Sequence, residues 1–544
     1  MQSEKVMVIG LDGATFDLMK PWIATGKLPN LAQFISNGSH GDLNSVMPPE
    51  SPLAWPSFAT GKNPGKHGVF GFYEHHPTKE YSLSPINASC NRAKTLYKML
   101  AEAGKNVITL AVPFTFPPEK IENGIVIPGE FSLPGETNNA SGSYPPEMAQ
   151  EICNYVADPR LGVDTSLIYS SPSAFIEDLH TTTDNLVETA DYLLQHKPWD
   201  FFMLVFSGVD QIEHYFWRHY LNNDAFSDAM FEYYQKVDQA VGKILSQINE
   251  DEITLFVMSD HGMQPFDEYF CLNLWLHEKG FLKFKNPTQR WFKQKFIKFL
   301  NKSGAKQLLL DKFDLRRFSK GAVSNALTFT DVDFANTKAY AYGFGSIRIN
   351  LKGRDPEGMV DPAEYDEIRD FIISGLEAEK SEPSGKPALQ GYKREEIYTG
   401  DFVEQAPDII VTSDTYWPNG LAGVGPFSNL YGSKIEDSPF INGMHAMNGI
   451  FMAKGPNIRS KHALNDANLI DLAPTILYSM GLPIPNDIDG KVLFDIFSDH
   501  FLAEYPPTYV EADADFDSEM ERYMWSLDEE EALIARLQDL GYLA

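Results

Sequence analysis

Short apolar runs punctuate the chain at Val6–Gly10, Val107–Val112, Phe201–Phe206, Ile253–Met258, Ile409–Val411 and Gly449–Ala453. Within each run the apolar residues do not alternate with polar ones, which is the pattern of a strand covered on both faces. Segments with helical spacing lie between several of them, at Asn30–Ser36, Lys94–Gly104 and Asp224–Ile248. Short buried strands alternating with helices predict an α/β fold around a largely parallel sheet. No period of about 20 to 50 residues recurs, which excludes a solenoid or propeller.

Two stretches depart from this rhythm. Between Lys283 and Lys320 there are twelve Lys or Arg against Asp311 and Asp314, with Trp291, Phe292, Phe296, Phe299 and Leu300 at helical spacing. This reads as a basic helical cap inserted at 283–335. A second insertion or smaller subdomain is expected at 336–405, where Pro356, Pro383 and Pro387 break the pattern. Residues 1–282 and 406–500 then form two parts of one core. The tail, 501–544, ends in a helix over Asp528–Leu540 that presents Leu533, Leu537 and Leu540 on one face and stops at Gly541.

Composition narrows the class. The chain has 544 residues, 43% hydrophobic and 22% charged, which is globular and excludes bulk disorder or a coiled-coil rod. With 45 Lys+Arg against 75 Asp+Glu the formal charge is −30, so a general nucleic-acid coat is not expected. Cys90, Cys153 and Cys271 are scattered without a CxxC pair, so neither a disulfide framework nor a cysteine zinc site is read. The opening MQSEKVMVIGLDG lacks the features of a signal peptide, and no run approaches about 18 apolar residues. The expectation is a cytoplasmic protein without a transmembrane segment. Its oligomeric state is not encoded in any pattern.

Active sites of parallel α/β sheets form at the carboxyl ends of strands. Asp12 follows the first run, Asp210 and His214 follow Phe201–Phe206, and Asp260 and His261 follow Ile253–Met258. His445 immediately precedes the run at Gly449. Each alone has an ordinary reading as a helix cap, a turn or a helix-face histidine. Together, three carboxylates and three imidazoles are the donor set of divalent zinc or manganese. They suffice for three ligands on each of two ions, and two ions about 4 Å apart clamp the attacking and leaving oxygens of a displacement at phosphorus. Ser51, in the turn Pro48-Pro49-Glu50-Ser51-Pro52, opens an apolar segment where a hydroxyl is presented at a helix start. There it serves either as a plain N-cap or as a nucleophile whose phosphorylated form is favoured by main-chain N–H groups.

Leu11-Asp12-Gly13, Leu28-Pro29-Asn30-Leu31, Ser51 ahead of Thr60-Gly61, and Asn63-Pro-Gly-Lys-His67-Gly68 resemble the alkaline phosphatase superfamily. The nearest branch is the type I phosphodiesterase/nucleotide pyrophosphatase-like group. Asp210-x-x-x-His214, Ser259-Asp260-His261-Gly262, Gly443-Met-His445 and Ile484–Gly490 follow in the same order. Asn350–Gly358 and the Leu540-Gly-Tyr-Leu end are similar to bacterial and archaeal members described as phosphohydrolases or phosphomutases. The resemblance implies a three-layer α/β sandwich with an inserted cap. It implies one ion on Asp210, His214 and His445, and a second on Asp12, Asp260, His261 and the Ser51 hydroxyl. It implies a phosphorylated Ser51 on the way to hydrolysis of a small-molecule phosphate ester, with zinc ahead of manganese as the metal.

Several features leave the specific reaction open. Diesterases of this kind carry Thr as nucleophile, whereas phosphatases and phosphomutases carry Ser, so monoester and diester chemistry both stand. The pyrophosphatases place an Asn about twenty residues past the nucleophile, where this chain has Gly71-Phe72-Tyr73. A sulfatase is disfavoured by Leu53 and Trp55, which occupy the Pro and Arg positions of that motif. His67, His75 and His76 read as supporting residues rather than ligands. The basic cap is a binder of multiply charged esters, a membrane-surface contact or a solvated lid. A catalytically idle binding protein on the same fold is the remaining alternative.

Overall fold

The computed structural model describes residues 5–76, 79–129, 142–266, 268–285, 329, 331–380, 387–420, 434–436, 441–512 and 521–539. Its centre is a nine-stranded sheet. The long strands are β1 (Lys5–Leu11), β2 (Ser39–Asn44), β3 (Val107–Val112), β4 (Gly124–Pro128), β5 (Phe201–Phe206), β6 (Ile253–Met258) and β7 (Asn448–Lys454). They run in the order β2-β7-β6-β1-β5-β3-β4, and the short strands His462–Ala463 and Ala467–Asn468 pair with β2. The pairs among β6, β1, β5, β3 and β4 are parallel, while β7 is antiparallel to both of its neighbours. Strands β3, β5 and β6 are buried along their whole length, as expected of a sheet covered on both faces. The expected α/β class with a mostly parallel sheet is thus what the chain forms.

Local chemistry sets the covering helices. Thr95 and Ser171 accept hydrogen bonds from Lys98 N and Ala174 N and so cap Leu96–Glu102 and Pro172–His196, the latter with Pro at its first position. Pro172–His196 packs against Ala229–Leu245, where Thr183 and Tyr233 share a 2.9 Å hydroxyl hydrogen bond in the interior.

One strand is not where its apolar run pointed. Ile409–Thr412 belongs not to the central sheet but to a four-stranded antiparallel sheet with Ala339–Tyr342, Ser346–Ile349 and Gln390–Lys393. Three apolar residues identify a buried strand but carry no information about which sheet it joins. Asp408 anchors this smaller sheet. It is fully buried and accepts from Ile349 N at 2.7 Å, from both terminal nitrogens of Arg354 at 2.7 Å, from Arg394 at 3.2 Å and from the Tyr365 hydroxyl. Burial opposes its charge, but the Arg354 guanidinium overrides this and holds the carboxyl below its ordinary range. Asp408→Asn removes the anion shared by Arg354 and Arg394, leaving them only Asp355 and Glu404, and is expected to cost about 3 kcal/mol in urea unfolding at neutral pH. A carboxyl held low in the folded state contributes above its ordinary pKa and loses that contribution as pH falls through the depressed value. The gap between wild type and variant should therefore close on acidification.

The tail helix forms over Leu527–Asp539 with Leu533 and Leu537 buried, and nearby Trp525 donates to Pro85 O at 3.1 Å. Leu540 and Gly541 lie outside the described residues. So does nearly all of the basic segment, of which Lys283 and Lys285 are described. Among the described residues no helix is long and apolar enough to cross a membrane.

Candidate active site

Four carboxyl-end loops and one antiparallel strand converge on a single buried pocket. Asp12 leaves the end of β1 and is followed by Gly13, whose φ of +72° suits glycine. A Cβ on Gly13 would lie 3.2 Å from Asp210 Oδ1, so a larger residue there would crowd the carboxylate. Asp210 stands in the first turn of the helix Gly208–Asn222 that follows β5, and His214 lies one turn on, on the same face. Asp260 and His261 follow β6. Ser259 ties this corner together: its hydroxyl donates to Ala14 O at 3.0 Å and accepts from Ile450 N at 2.8 Å.

His445 arrives on the strand Gly443–Ala446, which pairs antiparallel with Gly262–Pro265 and places His445 opposite Met263. Asn442 pins this strand to the Asp210 helix by donating from its main-chain N to His214 O at 2.8 Å and accepting from Arg218 N at 2.9 Å. Ser51 is the first residue of the helix Ser51–Thr60, as its turn predicted. Its Oγ lies 3.0 Å from His261 Nε2.

The three imidazoles are oriented alike. His214, His261 and His445 direct Nδ1 at the carbonyl oxygens of Gly443, Gly262 and Pro49, at 2.9, 3.0 and 3.0 Å. A carbonyl only accepts, so each Nδ1 carries the proton and each Nε2 turns a lone pair into the pocket. The His214 and His445 Nε2 atoms are 3.1 Å apart and lie 3.3 and 3.4 Å from Asp210 Oδ1. His261 Nε2 is 3.4 Å from Asp260 Oδ2 and 3.6 Å from Asp12 Oδ1. Asp210 Oδ1 and Asp260 Oδ2 are buried without a hydrogen-bond donor among the described residues. Lone pairs facing lone pairs at these distances repel unless a cation lies between them.

Two groups have ligand atoms mutually within 4.8 Å: Asp210, His214 and His445, and Asp12, Asp210 and His261. Asp210 belongs to both. Asp260 adjoins the second through His261 and accepts from Gly13 N at 3.3 Å. Burial pushes the Asp260 carboxyl up, and burial together with the neighbouring His261 imidazole pushes His445 down to about 3, keeping its ring neutral. All seven residues picked from the sequence therefore share one pocket.

Trp55, Trp417 and Glu50, to which the sequence reading gave no part in the site, complete it, and His67 takes the supporting place expected of it. Trp55, one helical turn after Ser51, donates its indole N–H to Asp12 Oδ2 at 3.2 Å, and Gly10 makes room for its ring against β1. The i, i+4 spacing was the available signal. Trp417 stacks on the His214 ring at 5.6 Å between centroids and 11° between planes. It comes from a distant strand, and nothing local announces it. Glu50, buried beside Ser51, has its carboxyl pushed well up by burial. His67 accepts from Val69 N at 3.2 Å and is 2.8 Å from Ser57 Oγ, so it donates to that hydroxyl and acts in support. A larger cavity behind the Ser51 helix, lined by Tyr97, Phe114 and Lys98, shares Trp55 with the site.

The family model described as type I phosphodiesterase/nucleotide pyrophosphatase matches residues 6–419. The chain belongs to that family. It is accordingly a phosphoric ester hydrolase with the alkaline phosphatase-like fold. The matched span carries Asp12, Ser51, Asp210, His214, Asp260 and His261, while His445 falls beyond it. Among solved structures, human ectonucleotide pyrophosphatase/phosphodiesterase 5 is similar at 13% identity and TM-score 0.50, covering 92% of this chain and 99% of its own. The murine protein of the same name is similar at 15% identity and TM-score 0.50, covering 91% and 100%. No curated protein matches the chain.

Proposed function

We propose that this hydrolase cleaves phosphodiesters by two successive displacements at phosphorus, with Ser51 as nucleophile and two divalent cations held by the convergent carboxylates and imidazoles. The observation that carries the reading is the set of three Nε2 lone pairs and the Asp210 carboxylate aimed into one buried pocket beside Ser51 Oγ. Asp210, His214 and His445 would hold one ion, and Asp12, Asp260 and His261 the other with the Ser51 hydroxyl. Asp210 is also close enough to reach toward the second ion. Such cations supply Lewis acidity, lowering the pKa of a ligated hydroxyl and neutralising charge on phosphoryl oxygens.

The chain's own residues do the rest. Ser51 Oγ gives up its proton to solvent and forms a bond to phosphorus as the ester P–O bond opposite it breaks, and the alcohol departs with a proton taken from solvent. The start of the Ser51 helix offers little to the phosphoserine, because Pro52 has no N–H and the Leu53 and Ala54 N–H groups are donated to Glu50 O at 2.9 Å, so charge on the phosphoryl oxygens falls to the cations. Water then attacks the same phosphorus, the Ser51 Oγ–P bond breaks, and the hydroxyl regains its proton. Two inversions leave the configuration retained. Trp55 holds Asp12 in place throughout, and the carbonyls of Gly443, Gly262 and Pro49 hold the rings.

The test is parallel hydrolysis of bis-p-nitrophenyl phosphate and p-nitrophenyl phosphate with zinc or manganese added, then with chelator. The diester is expected to react faster, to fall to background in chelator and to recover with metal. Re-metallation should also raise Tm by several degrees. A preference for the monoester would replace this reading with a phosphatase or mutase. Metal-independent hydrolysis would remove the cations from it.

A further inference from the structure

Two carboxylates of the second ligand group each have one oxygen tied to a protein donor. Trp55 donates its indole N–H to Asp12 Oδ2 at 3.2 Å, and Asp12 Oδ1 is the atom turned toward His261 Nε2, 3.6 Å away. Asp260 repeats the arrangement: Oδ1 accepts from Gly13 N at 3.3 Å, and Oδ2 lies 3.4 Å from His261 Nε2. Asp12, Trp55, Asp260 and His261 are all buried, so these hydrogen bonds face little competition from bulk water. The indole has no room to swing away. Phe58 packs edge-on to it at 6.2 Å between centroids, and a Cβ on Gly10 would lie 3.0 Å from its Cη2.

The number of oxygens on offer bears on the choice of cation. With one oxygen from each of Asp12 and Asp260, the group adds His261 Nε2 and Ser51 Oγ, with Asp210 within reach. Zinc is satisfied by about four such nitrogen and oxygen donors. Calcium takes about six to eight oxygens, commonly both from a single carboxylate, and imidazole does not suit it. The indole N–H on Oδ2 denies calcium that second oxygen at Asp12.

We infer that Trp55 is a positioning residue that sets metal specificity: by keeping Asp12 a one-oxygen ligand, it favours a transition-metal ion over calcium in the second ligand group. The inference rests on the two-cation reading above and concerns what this chain adds to it.

Electron paramagnetic resonance can count the manganese released from the full-length, manganese-loaded protein as calcium is added. In Trp55→Phe the calcium concentration that frees one of the two ions should fall at least about tenfold, because Oδ2 then turns to the cation. Trp55→His keeps a ring N–H at the position corresponding to the indole's and should recover most of the wild-type resistance. An imidazole that ligated the cation instead would not favour calcium. Loss of packing alone weakens both cations alike and leaves the release curve where it was. An unmoved curve in Trp55→Phe, or an equal shift in Trp55→His, would overturn the inference. So would wild type that yields an ion to equimolar calcium, a result that needs no variant to fold. Wild type that binds no manganese would instead remove the two-cation reading, and this inference with it.

Discussion

Ser51→Ala is expected to reduce kcat/KM toward a reactive phosphodiester by about 10³-fold or more, leaving metal content unchanged in at least one of the two ligand groups. The magnitude follows from removing a nucleophile whose attack is the step that the other groups assist, so that their contributions are lost with it. The side chain touches little else: its hydroxyl meets His261 Nε2, and the helix it opens is held by its own main-chain bonds and by the buried Leu53, Trp55 and Phe58. Folding should therefore survive, and urea unfolding should move by less than about 1 kcal/mol. Acid-quenched wild type incubated with substrate should yield a phosphorylated peptide containing Ser51, absent from the variant. Activity within tenfold of wild type, or a phosphopeptide elsewhere in the chain, would remove Ser51 from the nucleophile's role.

Asp210→Asn is expected to have the widest effect of any single ligand change. Asp210 alone stands in both ligand groups, with Oδ1 near the imidazoles of His214 and His445 and within ligand distance of Asp12 and His261. Asparagine keeps the shape but not the charge. A neutral amide is a weak ligand for a divalent cation and turns an N–H₂ toward neighbouring lone pairs when it flips. Metal analysis after dialysis should find fewer than about one ion per chain, against about two in wild type, and diester hydrolysis should fall by about 10³-fold or more. The comparison with His445→Ala is informative, because His445 belongs to one group only. If Asp210→Asn retained two ions, the shared position would have no coordinating role.

The strand-end logic made the convergence of these carboxylates and imidazoles legible without a structure. A parallel sheet delivers the residue after each strand to the same edge, so Asp12, Asp210, Asp260 and His261 meet whatever the connecting helices do. His445 was legible for a different reason, since it precedes its strand and reaches the site because β7 runs antiparallel to β6. Trp417 and the destination of Ile409–Thr412 were not legible. Both depend on which strands pair, and pairing is decided by contacts between segments far apart in sequence rather than by local pattern. The orientation of the imidazoles was equally hidden. It is set by three main-chain carbonyls, and a carbonyl is common to every residue type. The basic segment of 283–320, the most conspicuous compositional feature, falls largely outside the described residues.

The antiparallel return of His445 also orders events during synthesis. His214 and His445 are 231 residues apart, yet their Nε2 atoms lie 3.1 Å from each other. A nascent chain carries Asp210 and His214 for roughly ten to fifty seconds before His445 leaves the ribosome, at elongation rates of about 5–20 residues per second. During that interval the first ligand group is one imidazole short, and its other members sit beside a sheet that still lacks β7. If the cations bind as proposed, the first meets its complete ligand set only after His445 has emerged, so that a firmly held ion would report docking of the late strands.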